Sequence, residues 1–204
     1  MKNLFIVLIT VFVFVSCKEE STVQPIITNS DPLVGSTSQN MNYTNIDDFV
    51  FSVFPHESDG IYYEPFLYAL SIYESTAHEL LFEVGVSGGG SDYNSFAYCS
   101  TRNNWEVCLK DNDSINIKLL NTGDQLQLQN NWAGVDGKKY RFAIYTYYDT
   151  SPTPDIDSSG MWSYIENGYM GLRLIQQTDT LYGWLRLSLR DHYEMTIKDY
   201  AISK

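Results

Sequence analysis

The chain has 204 residues, 44% of them hydrophobic and 15% aromatic, which places it outside the disordered regime and gives it apolar mass for one core of ordinary size. With 13 basic against 25 acidic residues its formal charge is −12, and this excludes nucleic acid as a partner, because phosphate binding needs a basic face. The acids are scattered, not blocked, which favours solubility and tolerance of divalent cations.

Residues 1–16 have the form of a secretory signal: Lys2 supplies the positive start, and Leu4 to Val15 form an apolar run broken only by Thr10. Such a run is too short to cross a bilayer, which takes about 20 residues. The Ser16-Cys17 junction resembles the lipobox of bacterial lipoproteins, in which the signal is cut before the cysteine and its thiol and amine are acylated. Phe14 stands where that motif usually carries leucine. An ordinary signal peptide with a spare thiol is the alternative. Lys18-Glu19-Glu20 resembles the lysine-plus-acid tag that sends lipoproteins of Bacteroidota to the outer face of the outer membrane; a charged run that merely stays solvated is the other reading. Together these resemblances imply lipidation of Cys17, membrane attachment through that lipid, and display on the outer membrane, outward or towards the periplasm. Without residues 1–16 the chain keeps 12 basic and 25 acidic residues, a charge of −13.

Residues 17–44 hold the lipidated cysteine and a stretch rich in Ser, Thr, Asn, Gln and Pro with no sustained period, which reads as a flexible tether. From residue 45 to 204 the texture is that of a single domain. Short apolar and aromatic runs alternate with Gly, Asn, Asp and Ser clusters, and Ile115 to Leu119, Gln125 to Gln129 and Leu185 to Arg190 alternate with period two. Strands are predicted near 48–54, 65–73, 79–86, 94–100, 105–110, 114–120, 125–131, 139–148, 168–175, 181–190 and 193–200. The expected fold class is all-β, an antiparallel sandwich of jelly-roll type.

Within that frame, an Asn103-Asn104 turn would set Cys99 opposite Cys108 at a non-hydrogen-bonded position of a hairpin, where a disulfide fits and contributes about 2 to 3 kcal/mol. Asp155, Asp157 and Ser159, with Gly160 and then Glu166, have the spacing of a calcium loop, set against the plainer reading of an exposed turn. Calcium is the one cofactor the sequence suggests. Gly85 to Ser91 looks like a phosphate loop but lacks its lysine and helix. His56, His78 and His192 show no metal-site or nucleophile-elbow spacing. The acidic pairs Asp47-Asp48 and Glu57 with Asp59 would mean glycoside hydrolysis only at a known separation across a cleft. No catalytic residue is assigned. Aromatics including Tyr62, Tyr63, Tyr68, Tyr73, Tyr145, Tyr147, Tyr148, Trp105, Trp132 and Trp162 either fill the core or form a sugar-stacking platform.

Near the C-terminus, Gly168-Tyr169-Met170-Gly171-Leu172-Arg173-Leu174, Tyr182-Gly183-Trp184-Leu185-Arg186-Leu187-Ser188 and Met195-Thr196-Ile197-Lys198-Asp199-Tyr200-Ala201 form three strand-like blocks. They resemble the closing block of a family of secreted bacterial β-sandwich proteins of unknown function, as does the Asn121-Thr122-Gly123-Asp124 turn with Trp132. The resemblance implies a fold and no activity. The functional expectation is a surface-exposed lipoprotein that binds glycan or protein and is not an enzyme; a secreted hydrolase of glycans or peptides, or a structural envelope component, are the alternatives.

Overall fold

Alternation of period two becomes a strand where neighbouring backbone can pair and one face can be buried. In the computed structural model, residues 32–37, 40–52, 66–72, 80–89, 92–148, 155–190 and 194–204 are described. Among them lie β1 (Met41–Ser52), β2 (Phe66–Leu70), β3 (Leu80–Gly89), β4 (Asp92–Thr101), β5 (Trp105–Cys108), β6 (Trp132–Ala133), β7 (Lys139–Tyr148), β8 (Asp155–Ser159), β9 (Ile165–Ile175), β10 (Thr180–Arg190) and β11 (Glu194–Ser203). A six-stranded sheet runs β1-β11-β10-β9-β5-β6 and a five-stranded sheet β2-β3-β4-β7-β8, with antiparallel pairing between their strands. The expected sandwich is present. Its winding differs from a jelly roll: β2-β3-β4 and β9-β10-β11 are meanders that stay within one sheet. The glycines at 85, 88 and 89 belong to β3, not to a phosphate loop.

The main core lies between the sheets. Met170, Leu172, Leu185, Leu187 and Ile197 from one sheet meet Phe82, Val84, Tyr140 and Phe142 from the other, all at 0% exposure. Trp162, between β8 and β9, packs edge-on against Phe142 and donates its indole N–H to the Ile117 carbonyl (3.1 Å). A bulge in β11 at Lys198 switches the alternation, so that Ile197 and Ile202 both point inward while Asp199 and Ala201 point outward. The facing bulge in β1 carries Asp47 and Asp48 at positive φ (58° and 51°), which explains that acidic pair structurally.

A second, smaller core sits on the outer face of the six-stranded sheet, where Val34, Met41, Leu120, Leu126, Trp184 and Ala201 are buried together. Its cover is irregular backbone. The predicted strands 114–120 and 125–131 are absent: Asn116 is bridged to Arg141 of β7 and Ile117 reaches the main core, whereas residues 120–126 lie over the sheet, held by the bridge from Leu120 to Tyr169. Their alternation reflects Ile117, Leu120 and Leu126 turning towards the protein. Gly171 allows this approach, since a Cβ there would meet Cys108, Leu126 and Leu120 at 2.9 to 3.1 Å. Gly171 pairs with Trp184 and Gly183 with Leu172.

Two further expectations are corrected. The fold begins before residue 45: residues 32–37 form a strap, with Leu33 bridged to Gln125, Val34 N–H donating to Asp124 O (2.9 Å) and Gly123 N–H to Val34 O (2.9 Å). Asn103 and Asn104 do adopt positive φ (55° and 63°), and Trp105 N–H donates to Arg102 O (3.1 Å), but the chain then changes sheets. Cys99 consequently faces Phe82 and Tyr140, Cys108 faces Trp132, and both are free, buried thiols instead of a disulfide. Burial pushes both thiol pKa values up, that of Cys108 to about 11. Asp155, Asp157 and Ser159 follow an extended strand, where alternate residues are spaced about 6.8 Å apart. Glu166 lies on β9 in the other sheet, with Arg190 at 3.9 Å. Gly160 serves a different need: with φ 117° it lies so close to β7 that a Cβ would meet the Phe142 carbonyl at 2.3 Å.

A chain cut to begin at residue 45 should therefore unfold at lower denaturant than one beginning at residue 31, by about 3 kcal/mol or more for the lost burial of Val34 and Met41. Equal midpoints in urea would contradict the strap's structural role.

Candidate functional site

The three blocks of the C-terminal pattern are β9, β10 and β11, adjacent in one sheet, and strand alternation sends Tyr169, Gly171, Arg173, Tyr182, Trp184 and Arg186 to its outer face. Two polar clusters form there. In the first, Arg186 grips Asp199 with two bonds, Nε to Oδ1 (2.9 Å) and Nη2 to Oδ2 (2.6 Å), and the Tyr43 hydroxyl donates to Oδ2 (2.9 Å). The Asp199 side chain is 5% exposed. Hydrogen bonding to this carboxylate raises the pKa of both Tyr43 and Arg186 above their ordinary values. Trp184 packs beside it, edge-on to Tyr169 at 5.4 Å, with its indole N–H donated to Ser36 O (3.2 Å).

The second cluster borders an open groove of about 620 Å³. One wall is the turn Asp111-Asn112-Asp113. Asn112 has φ 59°, and Asp113 Oδ1 accepts the N–H groups of Ile115 (2.8 Å) and Asn116 (2.9 Å) while Oδ2 accepts Asn116 Nδ2 (2.6 Å). These bonds hold the Asp113 carboxyl at a pKa of about 2. The opposite wall is the turn from Leu128 to Asn131, tied by Asn130 Oδ1 accepting Gln127 N–H (2.6 Å) and by the Trp132 indole donating to Gln127 O (2.8 Å). Asn131 clamps the walls together, its Nδ2 donating to Lys110 O (2.8 Å) and Asp113 O (2.6 Å). Arg173 completes the lining, its guanidinium 5.0 Å from the Trp132 ring centre and ion-paired with Glu106.

Asp113 spends both oxygens on the turn and is held ionised, the opposite of a general acid. Asp111 faces Lys118 at 3.2 Å. Most of the groove residues were missed from the sequence, because two polar turns distant in the chain look like ordinary loops. The available signal was length: some 23 residues between β5 and β6 exceed an ordinary connection. Of the aromatics named from the sequence, Trp105, Tyr145 and Trp162 are core, Tyr68 stacks on Phe49 at 4.2 Å, and only Trp132 lines the groove. Cys17, His56, His78, His192, Glu57, Asp59, Tyr62, Tyr63 and Tyr73 lie outside the described residues.

Replacing Arg186 by Ala should cost about 3 kcal/mol by leaving a buried carboxylate uncompensated, while the Arg186→Ala/Asp199→Ala pair should cost less than the summed single changes in a double-mutant cycle; strict additivity would refute the coupling. For Asp113, a depressed folded pKa contributes stability above the unfolded value of 3.8 that is lost as pH falls towards about 2. Asp113→Ala should accordingly lower the melting temperature at pH 7 and change it little at pH 2.

No family model, no curated protein and no solved structure matches the chain.

Proposed function

We propose that the chain is a lipid-anchored β-sandwich module, displayed on the outer membrane, that binds its ligand without transforming it. The observation that carries this reading is the groove between Asp111 and Asn131: it is open and pre-formed, and its lining carboxylates are occupied, by Lys118 at Asp111 and by the Asn116 turn at Asp113. A rigid cavity with its charges already compensated is suited to recognition, because little ordering remains to be done when the ligand arrives. The hydrolase alternative needs a carboxyl group held protonated near neutral pH, and Asp113 is held the other way. The ligand is a glycan or a protein partner. Anchoring rests on the resemblance of Ser16-Cys17 to a lipobox, and outward display on Lys18-Glu19-Glu20.

Expressed in a bacterium that carries lipoprotein-processing enzymes, the wild-type chain should incorporate a palmitate analogue and sediment with membranes, and Cys17→Ala should do neither. External protease should reach the domain on intact cells if display is outward. Unlabelled wild-type protein would sink the anchor, and with it the surface role.

A further inference from the structure

The groove's remaining hydrogen-bonding capacity narrows its ligand. Formal charge is used up on the spot: Lys118 answers Asp111, Glu106 answers Arg173, and three hydrogen atoms from neighbouring amides reach Asp113. Arg173 is also poorly placed to take an anion, its side chain being 12% exposed and engaged with Glu106 and the Trp132 face. An acidic ligand would in addition approach a chain of net charge −12. A cation would have to displace Lys118 from Asp111 or dismantle the turn that Asp113 holds.

What remains unspent is amide and carboxylate in alternation. Asn131 uses both its Nδ2 hydrogens on backbone carbonyls, which leaves its Oδ1; Asn130 uses its Oδ1, which leaves its Nδ2. Gln129 donates to Gln127 and keeps its own carbonyl oxygen. Asn112 presents a whole carboxamide from an exposed turn, and Asp111, with a side chain 70% exposed, has lone pairs beyond those facing Lys118. Neighbouring donors and acceptors of this kind suit groups that are both at once, which describes vicinal hydroxyls. Beside them Leu128, 73% exposed, supplies apolar surface for the C–H face of a pyranose.

We infer that the groove binds a short stretch of uncharged glycan, its hydroxyls taken by Asp111, Asn112, Gln129, Asn130 and Asn131 and its apolar ring face by Leu128. This rests on the reading of the chain as a binding module and names the ligand class of that same groove. The indole N–H of Trp132 is committed to Gln127 O and its ring to Arg173 and Tyr182, so the tryptophan shapes the groove wall without bonding to the sugar.

The test uses the full chain in detergent on an array of neutral, uronic-acid-bearing and sulfated oligosaccharides, followed by titration of the best binder. Gln129→Ala, Asp111→Asn and Asn112→Gly, the last keeping the positive φ, should each weaken neutral-glycan binding about five- to tenfold, the size of one lost hydrogen bond, with the melting temperature unchanged. Gln176→Ala, in the β9–β10 turn, should leave binding intact. Binding that ignores all three groove variants, or no binding to any oligosaccharide, overturns the inference. Preference for acidic sugars through the same three residues overturns the ligand class and leaves the groove as a binding site. New reducing ends released from a bound neutral glycan would do the reverse: the ligand class would stand and the non-catalytic reading would fall.

Discussion

Trp184 is 2% exposed although it points away from the sandwich interior, and a tryptophan buried on an outer face has to be covered by something. Much of what distinguishes this molecule follows from that requirement. A six-stranded sheet carrying Trp184, Ala201 and a bare Gly171 on its outer side cannot leave that side to solvent, so residues 120–126 and the strap at 32–37 are laid across it. A cover made of irregular backbone needs partners for its amide groups, and they come from side chains: Asp113, Asp124, Asn130 and Asn131 each bond to main-chain atoms nearby. The groove is the space left where two of these side-chain-stapled turns meet.

The same logic explains why the polar groups on this face are so fully committed. Asp199 lies almost inaccessible at the border of the second core, and without Arg186 and Tyr43 its charge would destabilise the fold by several kcal/mol. Arg173 and Glu106 repeat the arrangement beside Trp132. Charge on this face fixes positions. A ligand of the proposed class would therefore meet side chains whose orientation is already set, and selectivity would lie in the pattern of leftover amide and carboxylate atoms.

Much of the scaffold was legible in the sequence because period-two alternation is a local signal: β3, β4, β7, β9 and β10 fall close to the runs that suggested them. Local chemistry was legible too, as the paired positive φ values at Asn103 and Asn104 show. What no local signal carries is destination. The Asn-Asn turn closes as its chemistry demands, yet the strand that leaves it joins the other sheet, and that choice alone separates Cys99 from Cys108. Alternation at 114–120 and 125–131 was real but belonged to irregular backbone instead of strands. In β11 the bulge at Lys198 exchanges the inward and outward sets midway, which a strict alternating reading cannot anticipate. The groove, built from turns about 18 residues apart and bridged by Asn131, was the least legible part.

The strap gives the domain a mechanical polarity. Chain arriving at Pro32 is stitched to Leu126, Asp124 and Gly123 by three backbone hydrogen bonds and then to Trp184 through Ser36, before the first long strand begins. Tension applied upstream would reach these few bonds before it reached the long β1–β11 ladder, and would peel them in sequence instead of shearing them together. Under load, the strap and the Gly123 to Leu126 turn it holds would part before the sandwich does.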